Sequence, residues 1–228
     1  MWTLGLDTAT WTASVGIDRD GVAVAQRTER VENTLAAAII PLIDGVLTQA
    51  RIAISDLDAI AVSAGPGSFT GLRVGLSTAK GLAYAANAHL VAVPTLEALA
   101  RALGPRTETV WTILDARRSE IYAASFRWRG DQLDRVVAEM AIAPRELARF
   151  VSGPEDVVFI GDGVDEYQDV LIELFGAVVK RLPLAAAPPS GAAVAAIGRE
   201  RLAAGVAAEL ASVEPFYVRA SEAERKFC

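Results

Sequence analysis

Sulfur and imidazole are nearly missing from this chain: its 228 residues include one cysteine, Cys228 at the last position, and one histidine, His89. A lone terminal thiol excludes internal disulfides and thiolate metal clusters and suits a reducing cytoplasm. A lone imidazole excludes a histidine-built metal site, so no metal is expected. Positive charge is also short, with 22 Lys and Arg against 28 Asp and Glu and a net charge of −6. That balance argues against binding free nucleic acid by counterion release. The arginines that do fall close together in sequence, Arg117, Arg118, Arg127, Arg129 and Arg135, are read as a solvated hairpin face. Long apolar runs are missing too, although hydrophobic residues make up 52% of the chain. The longest, Leu35 to Ile43, contains Pro41 and is too short to cross a bilayer. The chain meets Asp7 with no basic stretch before it, so neither a signal peptide nor membrane contact is expected.

Ready-made catalytic motifs are missing as well. The segment Gly65-Pro66-Gly67-Ser68-Phe69-Thr70-Gly71-Leu72-Arg73-Val74-Gly75 follows the apolar run Leu57 to Ala64, and Ser68 or Thr70 is placed to cap a helix. A strand that passes through glycines into a helix start is a place where a phosphate can be cradled. In the P-loop pattern a lysine and a hydroxyl follow the glycine, whereas here Lys80 precedes Gly81. The dinucleotide pattern puts a glycine where Thr70 stands. The nucleophile elbow puts glycines where Pro66 and Thr70 flank Ser68. With one histidine and no elbow serine, a peptidase has neither triad nor metal.

What is present is an alternation of strands and helices. Thr3 to Asp7, Trp11 to Asp18 and Gly21 to Thr28 read as an antiparallel meander. Helices then alternate with strands: Leu35 to Ala50, strand Ile60 to Ser63, Thr70 to Ala86, strand Leu90 to Val93, and Thr95 to Leu103. This order indicates a mixed sheet covered by helices. Gly104-Pro105 is the natural boundary, giving an N-terminal lobe of residues 1–104 and a shortened C-terminal lobe of 105–228. After it the pattern restarts with strands Trp111 to Asp115, Glu120 to Trp128 and Gln132 to Met140, then a helical Pro144 to Phe150. Strand Val157 to Gly161 and helices Asp165 to Phe175 and Ala192 to Ala204 complete it. Asp7 is followed by a strand bearing Ser14, and Asp115 by one bearing Ser125, an echo that points to duplication.

Five segments carry a family resemblance: Leu6-Asp7-Thr8-Ala9-Thr10; Ser63 to Gly75 with Ala79-Lys80-Gly81-Leu82-Ala83; Pro94-Thr95-Leu96-Glu97-Ala98-Leu99; Leu114-Asp115-Ala116-Arg117-Arg118 with Tyr122; and Pro215-Phe216-Tyr217-Val218-Arg219. Together they resemble the TsaB (YeaZ) family over nearly the whole chain. The resemblance implies an α/β fold of the two-lobed actin, Hsp70 and sugar-kinase (ASKHA) class, with mixed sheets flanked by helices and a degenerate nucleotide site. It also implies a non-catalytic subunit needed for N6-threonylcarbamoylation of adenosine 37 in tRNAs that read ANN codons. Such a subunit supports a catalytic TsaD-like partner, is joined by a TsaE-like ATPase, reaches tRNA only indirectly, and associates with itself when alone. No cofactor is implied.

In that fold class two acidic turns grip the phosphates and metal of ATP. Asp7-Thr8-Ala9-Thr10 matches the first, which makes Asp7, Thr8 and Thr10 weak nucleotide candidates beside the reading that they cap their own turn. The second would be Asp115-Ala116-Arg117-Arg118, with bulky arginines and no glycine. No residue is therefore expected to be catalytic, and a small-molecule kinase of the same fold, with Asp162 on its glycine turn as the acid, is the alternative. Two helices support a scaffold. The apolar positions of Leu35 to Ala50 cover an arc of about 200°, roughly twice a one-sided stripe. Gly71, Gly75, Ala79 and Ala83 recur every four residues, as if to admit another helix. The expected partner surface is Leu35, Ile39, Leu42, Val46, Leu72, Gly75, Leu76, Ala79 and Ala83.

Overall fold

The structure, a computed structural model, describes residues 1–31, 34–153, 156–177 and 179–218. Arg219 of the last motif and Cys228 lie outside them. The first half runs β1 (Trp2–Asp7), β2 (Thr12–Arg19), β3 (Val22–Arg30), α1 (Leu35–Ala50), β4 (Ala59–Gly65), α2 (Phe69–Ala86), β5 (His89–Pro94) and α3 (Thr95–Ala102). The second runs β6 (Thr109–Arg117), β7 (Glu120–Arg129), β8 (Gln132–Ile142), β9 (Val157–Ile160), α4 (Asp162–Glu166), α5 (Gln168–Phe175), β10 (Lys180–Leu182) and α6 (Gly191–Ala203). The stretch read as helical after β8 is a 3-10 segment, Pro144–Arg149. Among the described residues no helix is long and apolar enough to cross a membrane.

Each half forms one five-stranded sheet, ordered β3-β2-β1-β4-β5 and β8-β7-β6-β9-β10. In both, the first three strands are antiparallel and the last two run parallel to the third. The same topology twice in one chain is the duplication that the sequence echo suggested, although the serines are not part of it. Ser14 stands opposite Asp7, whereas Ser125 stands opposite Trp111. Strand β4 is buried along its whole length, as expected for a parallel strand covered on both faces. Strand β3 is exposed except at Ala25, as expected for a polar edge.

The halves are not the units that pack together. One compact unit joins Met1–Ala98 to Pro188–Pro215, and the other is built on Leu99–Ala187. The expected boundary at Gly104-Pro105 therefore misplaces α6, which lies on the first sheet and not with the second. Glycines explain why: a Cβ added at Gly5, Gly16 or Gly191 would overlap the facing backbone. Polar pairs finish the contact, with Gly191 N–H donating to Ser14 Oγ at 2.9 Å and Arg199 Nε to the buried Asp18 at 3.0 Å. No local pattern in α6 announces these partners, which stand more than 170 positions earlier in the chain.

Candidate functional site

In the first unit the candidate phosphate turn joins β1 to β2. Asp7 is wholly buried; its carboxylate accepts from Ser63 Oγ on β4 at 2.7 Å and from the Ala9 N–H at 3.1 Å. Burial raises the Asp7 pKa above the usual aspartate value, and those two hydrogen bonds oppose the rise. Thr8 Oγ1 donates to the Gly71 carbonyl at 2.8 Å, and the Ser68 N–H donates to the Ala9 carbonyl at 2.7 Å. Thr10 closes its own turn on Thr12.

The start of α2 packs closely on this turn. A Cβ at Gly71 would overlap the Thr8 carbonyl oxygen, one at Gly75 would overlap Thr8 Oγ1, and one at Gly67 would stand 2.5 Å from the Ala9 oxygen. Ser68, as anticipated, is the cap, accepting from Gly71 N–H at 3.3 Å. The glycines thus let the helix close on the turn. Asp7, Thr8 and Thr10 share one turn, and their polar groups are engaged with their own chain.

The second unit carries the duplicate of this corner at the end of β6. Asp115 N–H donates to Asp162 Oδ1 at 3.0 Å, Tyr167 Oη donates to Asp115 Oδ1 at 3.2 Å, and Arg117 pairs with Asp115 at 3.0 Å. Burial, with the nearby Asp115 charge adding to it, pushes Asp162 up to about 6. Burial and the same charge push Tyr167 up to about 12. Arg117, Arg118 and Ser119 all have positive φ, at 63°, 57° and 60°, a conformation that disfavours side-chain-bearing residues. No group of three or more His, Cys, Asp or Glu able to hold a metal occurs among the described residues. Sequence reasoning noted Asp162 but missed Ser63 and Tyr167, whose partners lie 56 and 52 positions away and leave no local signal.

Two expectations are corrected. The arginines are solvated, as expected, but they do not form one cluster: Arg117 and Arg118 sit at one end of β7 and Arg127 and Arg129 at the other, about 30 Å away at about 3.3 Å per residue. Several are paired, Arg129 with Asp134 and Arg135 with Glu139, both at 3.0 Å. The expected partner surface is also misplaced. Ile39, Leu42, Val46, Leu72, Gly75, Leu76, Ala79 and Ala83 are buried in the first unit, and Leu35 packs against the same core. Their wide apolar arc is consumed by the sheet under the helices, the neighbouring helix and the turn at Thr8. What α1 and α2 expose is different: Ile40, 54% exposed, and Tyr84, 83% exposed, with Pro41, Arg73, Ser77 and Gly81.

A duplicated β3-β2-β1-β4-β5 sheet with acidic turns at corresponding strand ends defines a protein of the actin, Hsp70 and sugar-kinase class. Comparison with known proteins agrees. The chain belongs to the family described as "TsaD: tRNA N6-adenosine threonylcarbamoyltransferase", whose model matches residues 29–227. It is 26% identical over 228 residues to the tRNA threonylcarbamoyladenosine biosynthesis protein TsaB of Bacillus subtilis, covering 100% of this chain and 98% of that one. It is 29% identical over 234 residues to the TsaB of Escherichia coli K12, covering 99% and 98%. Among solved structures, YeaZ from Pseudomonas aeruginosa superposes with a TM-score of 0.80 at 27% identity, covering 95% of this chain and 99% of that one.

Proposed function

We propose that this chain is a non-catalytic subunit for the threonylcarbamoylation of adenosine in tRNA, working beside a TsaD-like catalytic subunit and a TsaE-like ATPase. The observation that carries this reading is the closed first turn. Gly67, Gly71 and Gly75 bring α2 onto Thr8 and Ala9, where a catalytic relative of this class would hold phosphate. Asp7 is held by Ser63 and its own turn, and the second turn ends in arginines where a phosphate grip needs glycine. A chain of this class without a grip contributes surface and not turnover. The relatives matched end to end are named for the biosynthesis of the same modified nucleoside, which supports the pathway.

The surface we assign to the partner is the exposed side of α1 and α2 around Ile40, Gly81 and Tyr84, with self-association there when the partner is absent. The net charge of −6 supports contact with tRNA only through other subunits, in the cytoplasm. The kinase alternative is weaker, because its Asp162 is committed to the Asp115 N–H and the tip beside it carries Arg117 and Arg118. The test is reconstitution with purified TsaD-type and TsaE-type subunits, ATP, threonine-derived donor and unmodified tRNA. Modified adenosine should appear only when this chain is added, and the chain alone should hydrolyse no ATP. Turnover by the isolated chain that is lost in Asp7→Ala would overturn the reading.

A further inference from the structure

The outer edge of the first sheet at β5 is closed by the chain itself. Strand β5 ends the strand order, and its His89 N–H donates inward to the Asp58 carbonyl at 3.0 Å. In a parallel pair alternate residues point their backbone groups to the same side, so Leu90, Ala92 and Pro94 face outward. Each is dealt with differently. The Leu90 carbonyl accepts from the Ala208 N–H at 2.8 Å, in an isolated antiparallel bridge. The Ala92 carbonyl accepts from Arg201 Nη1 at 3.1 Å, while Arg201 Nη2 is fixed by Glu97 at 2.8 Å. Pro94 has no N–H to offer. Ala208, Leu210 and Val213 pack against the first core, so the segment lies along the edge as a strap. It turns back after α6 through Gly205, whose φ of +79° suits glycine.

We propose that Arg201 and the strap Ala207–Val213 act together as a guard on the β5 edge, preventing a second copy of this chain from pairing with it through β-strand addition. The occupant is a second copy because an outer strand with unpaired carbonyls is a template for its own antiparallel equivalent. Two separate caps, a side chain and a strap, cover two neighbouring carbonyls, so loss of one leaves the other in place.

The test compares wild type, Arg201→Met, Ala208→Pro and the double variant by sedimentation velocity over a hundredfold concentration range, with amide I infrared spectra. Ala208→Pro removes the N–H that reaches Leu90, and Arg201→Met removes the donor to Ala92 together with its pair to Glu97. The single variants should sediment like wild type. The double variant should shift to larger species at concentrations at least tenfold lower than wild type, with a new intermolecular β band. Arg201→Lys in the Ala208→Pro background, which restores a donor, should reverse much of the shift. A folded double variant that sediments like wild type throughout overturns the proposal. Should the double variant fail to fold, hydrogen exchange on the wild type decides. The Ala208 amide should exchange at least tenfold faster than the amides of β1 and β4, through an opening of the strap alone. Exchange at the core rate would make the strap an integral strand and overturn the guard.

Discussion

Replacing Gly75 by alanine tests the closed turn directly. In the middle of a helix this change gains about 1 kcal/mol from helix propensity. Against that, the new Cβ would overlap Thr8 Oγ1, the group that bonds the Gly71 carbonyl at 2.8 Å. Thr8 is buried, so it has little room to turn away. Overpacking of about 1–3 kcal/mol and loss of one buried hydrogen bond, about 1 kcal/mol, outweigh the gain and leave a net cost of roughly 2 kcal/mol. For a chain of this size each kcal/mol moves Tm by about 2–4 °C, so Gly75→Ala should melt roughly 4–8 °C below wild type. Gly81 on the same helix has nothing within 4 Å of its would-be Cβ, and Gly81→Ala should melt about 2–4 °C above wild type. The two alanines share chemistry and helix and differ only in what they face. A double-mutant cycle then identifies the partner. In Gly75→Ala with Thr8→Ala the overlapped oxygen is gone, so the pair should be at least about 1 kcal/mol more stable than additivity allows. Differential scanning calorimetry and urea melts read both quantities. If Gly75→Ala melts at or above wild type, or the cycle is additive, the turn has room to spare and the argument against a phosphate grip fails.

The remaining expectations concern charge and surface. Asp162 is held at about 6 against an ordinary 3.8, so the folded state binds its proton more tightly than the unfolded state. Its contribution to stability is favourable below about pH 4 and is lost as pH rises to about 6, leaving a cost on the order of 3 kcal/mol at pH 7. Asp162→Asn keeps an oxygen for the Asp115 N–H, so it should raise Tm by several degrees at pH 7.5 and by much less at pH 4.5; an offset independent of pH refutes the assignment. On the α1 and α2 surface, Ile40→Glu or Tyr84→Glu should weaken association with the TsaD-like subunit at least tenfold, about 1.4 kcal/mol, with Tm within about 2 °C of wild type. Leu76→Glu, 4% exposed in the core, should unfold the chain instead, and loss of binding only in unfolded variants would remove this surface as the contact. In gel shifts at moderate salt the isolated chain should hold tRNA weakly and without sequence preference. Sub-micromolar affinity there would show that the arginines at the two ends of β7 form an RNA surface.

The residues that were legible in the sequence are those whose neighbours in space are neighbours in the chain. The meander β1-β2-β3, the glycine exit from β4, the cap at Ser68 and the restart after Gly104-Pro105 all announce themselves within ten residues, because turns, caps and strand alternation are local physics. The apolar width of α1 and the four-residue spacing of small residues on α2 are legible as well, but the neighbour that covers them is not. Periodicity says that a face is covered, and not by what. Over the first turns of α2 the cover is Thr8, some 60 positions upstream, and the signal that names it is the glycine itself: Ala79 and Ala83 suffice in the hydrophobic core, whereas Gly71 and Gly75 are needed where backbone or a hydroxyl comes closer than any Cβ permits. The same logic applies to Gly5, Gly16 and Gly191, whose mutual approach draws α6 out of the half that precedes it and onto the first sheet. In a duplicated fold, glycines inside buried strands and helices therefore mark where distant parts of the chain meet. In this chain Gly67, Gly71 and Gly75 make one such meeting at the Asp7 turn, and that closure is the physical basis for proposing it as a partner and not as an enzyme.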